Sequence, residues 1–100
     1  MSPIEQVPAH EWKTWLEANQ GMLLDVREPH EWSLGTLPGA VQISMGDIPD
    51  RVEELVDKTA VLVVCRSGAR SEQVAVFLSM NGLNNVANLA GGMKALGMQD

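Results

Sequence analysis

Cys65 is the only cysteine in a chain of 100 residues. It stands where an apolar run, Val61, Leu62, Val63 and Val64, gives way to Arg66, Ser67, Gly68, Ala69, Arg70 and Ser71. A lone cysteine behind such a run is ordinarily an inert small core residue. The next six positions are unsuited to a core, since they hold two arginines, two serines and a glycine. A glycine-containing turn between a strand and a helix directs several backbone N–H groups toward one point, and the helix N-terminus adds partial positive charge. A thiol facing that cradle favours its anion, and a thiolate is a nucleophile. Cys65 is therefore the candidate nucleophile, with Arg66, Ser67, Gly68, Ala69 and Arg70 as the candidate binding loop for an anionic substrate. Taken singly, Arg66 and Arg70 could be solvated charges or salt-bridge partners. Together they place two of only seven basic residues, in a chain with 13 acidic ones, beside the one thiol.

Other chemistries find no foothold. His10 and His30 are the only histidines, and no second cysteine supplies a metal-ligand spacing, so no metal site is expected. No nucleophile-elbow motif supports a serine triad, and no glycine-rich phosphate loop supports a nucleotide, so no cofactor is expected.

Positioning a loop cysteine requires a strand before it and a helix after it, and the rest of the chain repeats that alternation. Apolar runs at 22–26, 40–43, 60–64 and 86–89 are expected strands, with 4–7 as an added edge strand. Trp12, Trp15 and Leu16 form a helical stripe that Gly21 is expected to cap. Ile48, Val52, Leu55 and Val56 form a second stripe. Val74, Phe77 and Leu78 form a third, in a helix expected from Ser71 onward and stopped by Asn81 and Gly82. Trp12, Trp15 and Phe77 are expected to pack in the core. Such alternation predicts an α/β fold with a largely parallel sheet covered on both faces. The loops at 25–40, 65–70 and 88–96 then gather at the strand carboxyl ends, where ligands bind in open parallel sheets.

The composition, 45% hydrophobic and 20% charged, suits one globular domain spanning residues 1–100. A net charge of −6 argues against a nucleic-acid surface, which needs a clustered basic face. The longest apolar run is far shorter than the roughly 20 residues that span a bilayer, so no membrane partner is expected. A single cysteine forms no internal disulfide, and the first residues lack the pattern of a secretory signal, so a reducing cytoplasm is the expected compartment.

Four landmarks, LLDVREPHEW, LPGAVQIS, VLVVCRSGARS and NLAGGMKAL, occur in the order that resembles a single-domain rhodanese, over about residues 4–96. The resemblance implies a three-layer α/β/α sandwich on a five-stranded sheet of order 1-5-4-2-3. It also implies sulfurtransferase chemistry, in which Cys65 takes a sulfane sulfur from thiosulfate or another persulfide donor and yields it to a thiol or cyanide. The partners so implied are a small anionic sulfur donor, attracted by the arginines, and a sulfur-accepting protein. Ser71 is then expected to help begin the helix, and Asp25 and Arg27 to support the site structurally. Thr36 stands where many members carry histidine, and Leu96 where many carry tryptophan.

Two other readings share this fold. Cdc25-like phosphatases and related arsenate reductases use a loop one residue longer, as a tetrahedral oxyanion needs a wider ring of donors than a single sulfur. Here four residues separate Cys65 from Arg70. A non-catalytic binding or regulatory module would have no need of Cys65.

Overall fold

The structure, a computed structural model, describes residues 4–98. Five short strands form one parallel sheet: β1 (Glu5–Val7), β2 (Met22–Asp25), β3 (Val41–Gln42), β4 (Val61–Val64) and β5 (Val86–Leu89). Their order is β1-β5-β4-β2-β3, as the resemblance implied. The helices are α1 (Trp12–Asn19), α2 (Pro29–Trp32), α3 (Val52–Val56), α4 (Ala69–Met80) and α5 (Gly92–Ala95).

The central strand β4 decides where the sulfur points. All four of its residues are buried, as expected of a parallel strand covered on both faces. Side chains alternate along a strand. Val61 and Val63 therefore pack with Leu55 of α3 and with Val74 and Leu78 of α4, whereas Leu62 and Val64 pack with Trp15 of α1 and Met93 of α5. Cys65 continues the odd-numbered series and lies in the first cluster, on the α4 side.

Asp25 and Arg27 are the buried support expected of them. Both are fully shielded, and Arg27 Nη2 lies 2.9 Å from Asp25 Oδ2. The same guanidinium reaches forward, donating to the carbonyls of Glu31 at 3.3 Å and Gly35 at 2.7 Å. The pair thus ties the end of β2 to the loop that carries α2. Removing one partner would strand a buried charge, at a cost of about 3–5 kcal/mol.

Three local expectations are corrected. The left-handed residue closing α1 is Gln20, at φ 50°, and not Gly21. Gln20 N–H donates to Glu17 O and Gly21 N–H to Leu16 O, the paired bonds of a Schellman cap. A Cβ on Gly21 would lie 3.0 Å from Trp15 Cζ3, so this glycine serves packing. The stripe from Ile48 to Val56 is not one helix: it is divided between the 3-10 turn Pro49–Arg51, itself preceded by another at Met45–Asp47, and α3, because Pro49 interrupts the α-helical bonding. α4 begins at Ala69, two residues before Ser71, with Gly68 at its N-cap. As expected, Trp15 is buried, and Phe77 and Trp12 pack half-buried against the two core clusters. Phe77 lines an open cleft of about 260 Å³ with Met45, Ile48, Pro49, Gln73 and Val74. Among the described residues, no helix is long and apolar enough to cross a membrane.

Candidate active site

The first turn of a helix leaves backbone donors without intrahelical partners. In α4 two of those at its start are spent on sulfur. Gly68 N–H donates to Cys65 Sγ at 3.1 Å and Ser71 N–H at 3.4 Å, and the Ser71 hydroxyl lies 3.3 Å from the same atom. Cys65 is wholly buried. Burial pushes its thiol up, but hydrogen bonds from the Ser71 hydroxyl and from the N–H groups of Ser71, Gly68 and Ser67 outweigh that, and the thiol ionises below the ordinary cysteine value. The arrangement can hold a buried anion at one sulfur atom.

The loop's curvature is fixed from outside by α5. Met93 N–H donates to Cys65 O and Lys94 N–H to Arg66 O, each at 2.9 Å. These bonds hold the loop carbonyls away from the sulfur, leaving its N–H groups turned inward. So close an approach demands glycine at position 92, where a Cβ would fall 2.5 Å from both carbonyl oxygens. Gly68 makes the matching demand within the loop, with φ +103° and a Cβ position 3.3 Å from Gly91 N.

Arg70, expected in the binding loop, is also an ion-pair partner. Its guanidinium is engaged fork to fork by the Glu31 carboxylate, Nη1 to Oε1 at 2.7 Å and Nη2 to Oε2 at 2.9 Å. The Arg70 hydrogen bond holds the Glu31 carboxyl down at about 2 against the opposing effect of burial, with a further hydrogen bond from Glu28 helping. The Glu31 value lies below the ordinary 4.5, so the pair's contribution to stability is complete above that pH and is lost as pH falls toward 2. The donors that favour the Cys65 anion are therefore the loop N–H groups and Ser71 rather than a free arginine.

Comparison with known proteins agrees with this geometry. The profile of a family described as "Rhodanese-like domain" matches residues 8–99. The chain belongs to this family. It is 40% identical over 93 residues to YtwF of Bacillus subtilis (strain 168), covering 92% of this chain and 89% of that one. It is 42% identical over 74 residues to a protein named "Sulfurtransferase" from Allochromatium vinosum, covering 74% and 69%. A rhodanese-like domain protein from Staphylococcus aureus superposes with a TM-score of 0.83 at 32% identity, covering 96% of this chain and 94% of that one.

In this rhodanese-like domain the six loop residues named from sequence are spread over different environments. Gly68 and Cys65 are buried together, Arg66, Ser67 and Ala69 are exposed, and Arg70 is half-buried against Glu31. His10 and His30 are exposed, and among the described residues no three His, Cys, Asp or Glu side chains cluster as a metal site. Thr36 is half-buried, and Leu96 packs against the cluster on the α5 side.

Three residues escaped the sequence reading. Glu31 could have been suspected from Glu28 and Glu31, which form a capping box around Pro29 at the start of α2. Gly92 was visible only as half of a glycine pair. Asn88 is buried at 3% exposure and meets Ser71, and its one signal was polarity within an otherwise apolar strand.

Proposed function

We propose that this rhodanese-like domain is a sulfurtransferase that carries sulfane sulfur as a persulfide on Cys65. The observation that supports it is the convergence of the Gly68 and Ser71 N–H groups on a buried Sγ, with no charged side chain needed to complete the cradle. The thiolate attacks the outer sulfur of a donor such as thiosulfate. A new S–S bond forms, the donor's own bond to that sulfur breaks, and sulfite departs with the electron pair. An acceptor thiolate or cyanide then attacks the terminal sulfur, and Cys65 leaves again as thiolate. In this reading residues 66–70 contribute backbone donors and the shape of the rim.

The pairing of Arg70 with Glu31 bears on the donor. A carboxylate beside the only half-buried loop arginine opposes a dianion at the mouth, which weighs against a phosphate ester and also makes thiosulfate a weak donor. A persulfide on a small thiol or a protein carries less charge and suits the site better. Sulfur passed to an acceptor protein obeys the same logic.

Mass spectrometry tests the reading. After incubation with glutathione persulfide, the Cys65 peptide is expected to gain the mass of one sulfur atom and to lose it on addition of cyanide. If glutathione persulfide, thiosulfate and mercaptopyruvate all leave the peptide unchanged, the persulfide reading fails. A second result concerns Glu31→Gln, which keeps the acceptor for the Glu28 N–H of the capping box and removes the charge. The KM for thiosulfate is expected to fall roughly threefold, with kcat less affected, because Arg70 regains an uncompensated charge. An unchanged or raised KM would show that Arg70 has no part in meeting the donor.

A further inference from the structure

Along β5, Val86 packs on the α4 side of the sheet and Ala87 and Leu89 on the other, so Asn88 faces α4. Its Oδ1 lies 2.5 Å from Ser71 Oγ, and that same Oγ is the one 3.3 Å from Cys65 Sγ. An amide oxygen carries no proton and a hydroxyl carries one. Two oxygens 2.5 Å apart hold that proton between them, so Ser71 donates to Asn88 and turns a lone pair to the sulfur. Ser71 so placed can accept from a thiol S–H, and it donates to a thiolate only by giving up its bond to Asn88.

The Asn88 amide is locked in this sense from behind. Its Nδ2 donates to Gln6 Oε1 at 3.0 Å, Glu72 Oε1 at 3.3 Å and Gly68 O at 3.4 Å, and Gln6 Nε2 donates to the same Glu72 oxygen at 2.6 Å. Turning the amide over would set its oxygen against three acceptors. The Glu72 carboxylate, which accepts only, thus fixes the direction of every link as far as Ser71.

We propose that Asn88 is a positioning residue that competes with the Cys65 sulfur for the single Ser71 proton, disfavouring the empty thiolate relative to the sulfur-loaded state. To steady the thiolate, Ser71 must leave Asn88 with an unpaired buried oxygen, which is costly. In a persulfide the charge moves to the outer sulfur and Sγ becomes neutral, so Ser71 stays with Asn88. Discharge, in which Cys65 departs as thiolate, is then slowed, and the domain holds its cargo longer. This last consequence rests on the persulfide reading, whereas the competition for the proton does not.

The charged groups around the sulfur are few. β4 and β5 bring none, β2 brings Asp25, which is paired with Arg27, and α2 brings Glu31, which is paired with Arg70 of α4. α4 also brings Glu72, β1 brings Glu5, bonded to Trp15, and Arg66 and Lys94 stand exposed on the loop and α5. Substitutions at Asn88 and Ser71 leave all of these charges in place.

The test is the pH dependence of Cys65 alkylation by iodoacetamide in the wild type, Asn88→Val, Ser71→Ala and the double variant, with Asn88→Ala as a second truncation should valine impair folding. Asn88→Val is expected to lower the midpoint by about one pH unit, since the hydroxyl is then free to donate to the anion. In the Ser71→Ala background the same change is expected to move it by less than about 0.2 unit, because the route through Ser71 is gone. A midpoint that is unchanged or raised in both Asn88 variants overturns the proposal, as does an equal fall with and without Ser71. Discharge of preloaded sulfur to a thiol is expected to quicken about threefold in Asn88→Val. If the midpoints behave as expected but no variant takes up sulfur, the proton competition stands and the persulfide reading falls.

Discussion

Cys65→Ser is expected to reduce sulfur transfer to the uncatalysed background while leaving the fold in place. The serine oxygen would receive the same Gly68 and Ser71 N–H groups, which lie 3.1 and 3.4 Å from the sulfur in the native chain. Those donors then face a hydroxyl that remains protonated throughout the working range, so no anionic nucleophile forms. An oxygen also cannot stand in for the sulfur–sulfur bond on which the carrier depends. The side chain is buried and one atom different, so the thermal midpoint is expected to stay within about 5 °C of the native one. Thiocyanate formation from thiosulfate and cyanide, and uptake of sulfur from glutathione persulfide, are the measurements. Residual turnover above background would mean that another group carries the sulfur and that the assignment of Cys65 is wrong.

How far the sequence reaches can be judged at particular residues. The strand at 60–64 is legible from its apolar run, and period-2 alternation then fixes the face on which Cys65 lies. The order of the strands comes from the family landmarks, because nothing local in the runs says which neighbours pair. The loop is legible as an anion cradle, but the source of its positive potential is not. Glu31 lies 39 positions from Arg70, and no local pattern announces that they meet. Ser71 reads as a cap only if the helix is begun two residues late. At the third position of α4 its side chain is instead carried back over the turn, toward Sγ. Asn88, 17 positions beyond Ser71, becomes meaningful only with β5 beside β4. Each of these residues makes a contact between elements, and its local preferences point elsewhere.

Gly92→Ala is the substitution outside the loop itself expected to cost most. Its φ of +62° is left-handed, which an L-residue adopts at a penalty of about 1–2 kcal/mol. The added Cβ would also lie 2.5 Å from the oxygens of Cys65 and Arg66 and 2.6 Å from Arg66 C. These are backbone atoms with no rotamer to retreat into, so α5 or the loop must shift. The bonds from Met93 N–H to Cys65 O and from Lys94 N–H to Arg66 O, which set the loop's curvature, would be stretched or lost. A displacement of about 1 Å at the cradle is expected to lower transfer on the order of 10²-fold. It should also raise the alkylation midpoint of Cys65 toward that of a free thiol, because the Gly68 N–H no longer reaches the sulfur. Gly97→Ala separates backbone strain from collision, as Gly97 has φ +79° with nothing within 4 Å of its Cβ position. That variant is expected to lose some thermal stability and to keep transfer within about twofold of the native rate, an effect of at most a few tenths of a kcal/mol on the barrier. Equal activity losses in the two variants would mean that strain in the last turn, and not contact with the cysteine loop, accounts for the glycine at position 92.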